Sequence, residues 1–133
     1  MKGRRDATPD FRVPLSPEAL AVIEQAKPLA REGYLFPSVR KGVISDATMS
    51  RLMERRLMEA RPHGFRSSLR NWLAETTDTP HEIAETCLGH VVGGTVERAY
   101  RRTDYLDQRR VVMARWGKHV TGQKGQVLQM VKG

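Results

Sequence analysis

The stretch from His63 to Tyr105 constrains this chain more than any other, because its apolar residues recur at helical spacing. Phe65, Leu69, Trp72 and Leu73 form one stripe, and Thr79 caps a short helix carrying Ile83, Ala84 and Cys87. Gly89 terminates that helix, Gly93-Gly94 supplies a turn, and Val96, Ala99 and Tyr100 begin another helix. Thr103 or Asp104 then re-caps a final helix with Leu106, Val112, Met113 and Trp116.

Upstream, Thr8-Pro9-Asp10 is a turn signal, and Phe11, Val13 and Leu15 alternate as a short strand would. Ser16-Pro17-Glu18 starts a helix that runs to about Glu32, with Leu20, Ile23 and Leu29 on its apolar face. Pro28 is expected to kink or shorten it, and Gly33 to close it. Ser45 or Asp46 caps a following helix whose buried stripe is Met49, Leu52, Met53 and Leu57, ended by Arg61-Pro62. From about Gly117 the patterning weakens, which gives a domain over residues 1–120 and a flexible tail over 121–133. The expected architecture is mainly α with a small N-terminal β element. The abrupt strand-like start suggests a piece of a longer protein.

A chain of 133 residues suffices for one domain with a modest core. Its net charge of +8 points to a polyanionic partner. A single cysteine, Cys87, excludes an internal disulfide framework and a multi-cysteine zinc site. It lies beside Leu88 and reads as a buried structural thiol. No secretory or membrane-spanning run is visible, so the expected location is cytoplasmic or nucleoid-associated.

The same stretch carries His-x-x-Arg (His63, Arg66), then Leu88-Gly89-His90, then Tyr100 and Tyr105. Cleaving a phosphodiester without a metal calls for planar cations on the non-bridging oxygens, a proton donor for the leaving oxygen, and a nucleophile. Arginine, lysine or histidine, and tyrosine fill those needs. Tyr100 is preferred to Tyr105 as nucleophile, because Asp104 and Asp107 flank the latter and disfavour a phenolate. Arg66 and Arg70, at i and i+4, face one surface.

His63-Gly64-Phe65-Arg66, Leu88-Gly89-His90 and Tyr100, in this order, resemble the signature of the tyrosine recombinases, the phage-integrase family. The wording HGFRSSLRNWLAE and AYRRTDYLDQRR is similar to prophage integrases in particular. The resemblance implies the DNA breaking-rejoining catalytic-domain fold, N-terminally truncated here, and double-stranded DNA as partner. It implies attack by Tyr100 to give a 3′-phosphotyrosyl link, with Arg66 and His90 clamping the phosphate and His63 in an acid/base or positioning role. Lys2 is the best match to the family's hairpin lysine. Further DNA contacts are expected from Arg4, Arg5, Arg40, Lys41, Arg70 and Arg101. Neither metal nor cofactor is called for, and the family assembles as a tetramer on DNA. The family's further clamping arginine has no match before Lys2, so this stretch alone is expected to bind DNA weakly and cleave it little.

Three other readings compete. A helix-turn-helix-like DNA-binding module explains the charge but not His63, His90 and Tyr100 together. A type IB topoisomerase shares the 3′-phosphotyrosine but not the integrase-like wording. A metal hydrolase is disfavoured, because His63, His81, His90 and His119 lack ligand spacing.

Overall fold

The computed structural model describes residues 10–90 and 103–122. Its elements are α1 (Pro17–Ala26), a 3-10 turn (Lys27–Leu29), α2 (Thr48–Arg55), α3 (Gly64–Thr76), α4 (His81–Cys87) and α5 (Leu106–Val120). The described residues are mainly helical, as expected. They form no sheet; two isolated β-bridges, Arg31 with Tyr34 and Pro37 with Val43, tie the connection between α1 and α2.

The core lies where α3, α4 and α5 meet. Leu69, Trp72 and Leu73 from α3 bury against Leu88 and Val112, with Ile83, Ala84, Cys87, Met113 and Trp116 partly buried around them. The stripe on α3 is thus as anticipated except at its head, where Phe65 is exposed. Trp72 and Trp116 pack with ring centroids 5.2 Å apart, and His119 stacks on both at 5.5 Å. Burial pushes the Cys87 thiol above its ordinary pKa, consistent with a structural thiol.

The N-terminal segment departs from expectation. Residues 10–15 form no strand, and Phe11, Val13 and Leu15 are exposed while Pro14 and Ser16 are buried. With no partner strand among the described residues, side-chain anchors hold the segment instead. Arg12 makes a two-pronged ion pair with Asp104 through Nε (3.0 Å) and Nη2 (2.9 Å). Arg109, only 1% exposed, donates to the Arg12 carbonyl at 2.7 Å and the Asp104 carbonyl at 2.8 Å. Its guanidinium also lies 5.0 Å from the centre of the Phe11 ring.

Ser16 caps α1, accepting from the Ala19 amide at 3.1 Å. Pro28 shortens the helix, which ends at Ala26 and passes into the 3-10 turn. The supposed apolar face is not a core face: α1 buries no residue, and Leu29 is 74% exposed. In α2 only Met53 is buried, and neither Ser45 nor Asp46 caps it; the helix begins at Thr48. Leu57, expected in the buried stripe, sits past the end of α2 at φ 56° and is 92% exposed. Thr79 likewise does not cap α4, whose N-cap is Pro80; the Thr79 amide instead donates to the Thr77 hydroxyl at 3.2 Å.

At the C-terminal end, α5 continues through Gly117 to Val120, so the weakened patterning from about Gly117 does not end the helix. Gly117 is buried because the N-terminus of α1 presses on it. A β-carbon there would lie 2.5 Å from Glu18 Oε2 and 2.6 Å from Ser16 Oγ. Residues 123–133 lie outside the described residues.

Candidate functional site

The loop before α3 folds around Arg61, whose Nη1 donates to the carbonyls of Met58 (2.6 Å) and Ala60 (2.8 Å). This delivers His63 to the N-cap of α3. One face of α3 is buried in the core through Leu69, Trp72 and Leu73, so Arg66 and Arg70 are directed to another, exposed face.

The second wall comes from the end of α4. Gly89 adopts φ +75°, its amide donates to Thr86 O at 3.0 Å, and the His90 amide donates to Glu85 O at 2.9 Å. These two bonds are the Schellman pattern, which brings the third residue from the helix end beside the second residue after it. Here those residues are Glu85 and His90. Their side chains meet as well, with His90 Nδ1 2.6 Å from Glu85 Oε2.

Between the walls lies a cleft of about 320 Å³ lined by His63, Arg66, Ser67, Arg70, Leu88 and His90. Arg66 Nη2 donates to the Leu88 carbonyl at 2.6 Å and lies 2.7 Å from His90 Nε2. Because a guanidinium can only donate, Nε2 accepts and the imidazole proton belongs on Nδ1, an assignment that follows from the hydrogen-bond network. Glu85 accepts a hydrogen bond from Nδ1, and its other oxygen lies 3.2 Å from Arg70 Nη2. The hydrogen bond from His90 holds the Glu85 carboxyl below the ordinary carboxylate range. Burial opposes this, while the charges of Arg70, His90 and His81 add to it.

Two guanidinium groups and an imidazole around one open cleft suit a phosphate or another oxyanion. The structure therefore brings together His63, Arg66, Arg70 and His90. It does not bring Arg40 and Lys41 there: they are exposed on the loop closed by the Pro37–Val43 bridge. Lys2, Arg4, Arg5, Tyr100 and Arg101 lie outside the described residues. Tyr105 is the N-cap of α5 at φ 54°, and its hydroxyl donates to Glu82 Oε2 at 2.6 Å, in the first turn of α4. His81 opens α4, and His119 is packed in the aromatic cluster. Among the described residues no group of three or more His, Cys, Asp or Glu side chains is placed to hold a metal ion. No helix among them is long and apolar enough to cross a membrane.

Sequence reasoning missed Ser67 and, above all, Glu85. The available signal for Glu85 was an acid at the third position from the end of a glycine-terminated helix, with a histidine just after the glycine.

The chain resembles a prophage integrase. The match is to Prophage integrase IntA of Escherichia coli (strain K12), with 39% identity over 122 residues. It covers 87% of this chain and 28% of that protein, so the chain spans less than a third of that relative's length. No protein-family model and no solved structure matches the chain.

Proposed function

We propose that this chain supplies most of the catalytic centre of a tyrosine recombinase that integrates or excises a prophage. The observation that supports this best is the convergence of His63, Arg66 and Arg70 from α3 and its N-cap with His90 from the end of α4 on one cleft. In this reading Arg66 moves from the Leu88 carbonyl and His90 onto a non-bridging oxygen of the scissile phosphate, and His90 and Arg70 share the charge. The Tyr100 oxygen bonds to phosphorus as the bond to the 5′ oxygen breaks. Lys2 protonates that leaving oxygen, and His63 either accepts the Tyr100 hydroxyl proton or positions the phosphate while solvent takes that proton. The product is a 3′-phosphotyrosyl link whose reversal rejoins strands. Arg4, Arg5, Arg40, Lys41 and Arg101 add contacts along the DNA backbone. The working assembly is a tetramer on DNA in the bacterial cytoplasm, associated with the nucleoid. In this reading the stretch alone binds duplex DNA weakly and cleaves it little.

The test uses a longer protein containing this chain and a nicked suicide duplex, scored as denaturant-resistant protein–DNA adduct. The parent forms the adduct; Tyr100→Phe binds the duplex equally and forms none. Adduct formation by Tyr100→Phe at the parent rate removes Tyr100 as nucleophile.

A further inference from the structure

Glu85 belongs to no part of the motif, yet it is a carboxylate that the fold buries directly behind the cationic cleft. An anion there is costly for a surface that must attract a phosphate, unless it organises the cations around it. Both of its oxygens are engaged: Oε2 with His90 Nδ1 at 2.6 Å and Oε1 with Arg70 Nη2 at 3.2 Å. The backbone repeats the first link, because the Glu85 carbonyl accepts the His90 amide. His90 is thus held at both its main chain and its ring.

We propose that Glu85 is a positioning residue for a phosphate clamp made by His90, Arg66 and Arg70. It fixes His90 in the tautomer with the proton on Nδ1 and turns Nε2 toward the cleft. This rests on the reading that the cleft receives a DNA phosphate. Before DNA arrives, Nε2 accepts from Arg66. When the phosphate draws Arg66 away, Nε2 takes a proton from solvent and becomes a donor. The carboxylate behind Nδ1 balances the imidazolium. Arg66, Arg70 and His81 are the other charged or titratable groups that bear on this pair. Without Glu85 the ring can rotate or change tautomer, and Arg70 loses its anchor.

Bulk electrostatics and positioning predict opposite signs, which makes the idea testable on this chain as it stands. Removing Glu85 raises the net charge from +8 to +9, since one negative charge is lost. Charge alone would then tighten binding to a duplex oligonucleotide. Positioning predicts that Glu85→Ala weakens it about tenfold, in line with losing a charge-assisted hydrogen bond. Fluorescence anisotropy at fixed salt gives the affinity, and nitrogen-15 NMR of the His90 ring gives the tautomer. The Nδ1-protonated pattern of the parent should disappear in Glu85→Ala. Glu85→Gln keeps a neutral acceptor in the same shape; it should retain part of that pattern and bind about threefold more weakly. If Glu85→Ala fails to fold, Glu85→Gln still decides, because charge alone predicts the opposite sign. Equal or tighter binding by the variants overturns the proposal, whatever the tautomer does. A parent chain that ignores the duplex at low salt, while its His90 tautomer still follows Glu85, refutes the nucleic-acid reading instead.

Discussion

Arg109 gives the sharpest test of how the N-terminal segment is held. Its side chain is 1% exposed and donates to two carbonyls, of Asp104 at 2.8 Å and of Arg12 at 2.7 Å. Nη2 makes no hydrogen bond but lies 3.4 Å from Asp104 Oδ2. Replacing Arg109 by Met keeps the apolar stem and removes every donor. Hydrogen bonds from a charged donor contribute roughly 1.5–3 kcal/mol each, so two lost bonds amount to about 3–6 kcal/mol. Against this, burying a guanidinium costs several kcal/mol, which Met avoids. The Arg12 carbonyl belongs to a segment whose side chain is largely exposed, so water recovers part of its bonding. The balance is a loss of about 2 kcal/mol. Urea unfolding followed by circular dichroism measures it, as a lower midpoint with unchanged slope. Chymotryptic cleavage after Phe11 should accelerate, because the anchor of that segment is gone. A variant as stable as the parent would mean that desolvation cancels the hydrogen bonds. Arg109 would then not anchor the segment, and the geometry around Asp104 would be a consequence of packing elsewhere.

Two further outcomes are expected. Gly117→Ala should destabilise by about 1–2 kcal/mol although alanine is the better helix former by about 1 kcal/mol. The new methyl displaces the Ser16 cap and Glu18 at contacts of 2.6 and 2.5 Å, so a stabilised variant in thermal melting would refute the close α1–α5 crossing. Stability should also fall in acid. Hydrogen bonds lower the folded pKa of Glu85 and of Asp104 from ordinary values of 4.5 and 3.8, so the unfolded chain binds more protons in that window. Their contribution is complete above those ordinary values and is lost as pH drops through the lower folded ones. In urea titrations across the acid range, Glu85→Gln should show a shallower decline; an identical decline would remove Glu85 as a source of it.

Legibility in the sequence followed how local the cause was. The stripe on α3 was readable because Leu69, Trp72 and Leu73 repeat with helical period and all bury. The Ser16 cap was readable because its bond spans three residues. The strand expected from Phe11, Val13 and Leu15 was not formed, because alternation sorts side chains only when a partner strand creates two faces. The segment is fixed instead by Arg109 and Asp104, from the opposite end of the chain. Nothing in the spacing sets Arg109 apart among the 23 lysines and arginines. Its burial depends on carbonyls that no periodicity reveals. Gly117 misled for a related reason: glycine ends helices by default, and only the crossing of α1 explains one inside α5.

The tripeptide Leu88-Gly89-His90 shows why a short motif can be specific without being long. Leu88 is 5% exposed and pins the end of α4 into the core, while its carbonyl accepts from Arg66 at 2.6 Å. Gly89 takes the left-handed conformation that ends the helix; a side chain there would be strained by roughly 1 kcal/mol at φ +75°. That turn carries His90 back over the last turn of α4, where Glu85 receives both its amide and its ring nitrogen. Moving the histidine by one residue would take its ring away from the Glu85 carboxylate, and replacing the glycine would strain the turn that aims the ring. The order of the three residues is therefore dictated by the way a helix ends. Arg66 can meet His90 because the core fixes α3 against that same end. The fold's contribution to the cleft is thus one well-terminated helix facing another anchored in the core by Leu69, Trp72 and Leu73, with the chemistry mounted on their exposed edges.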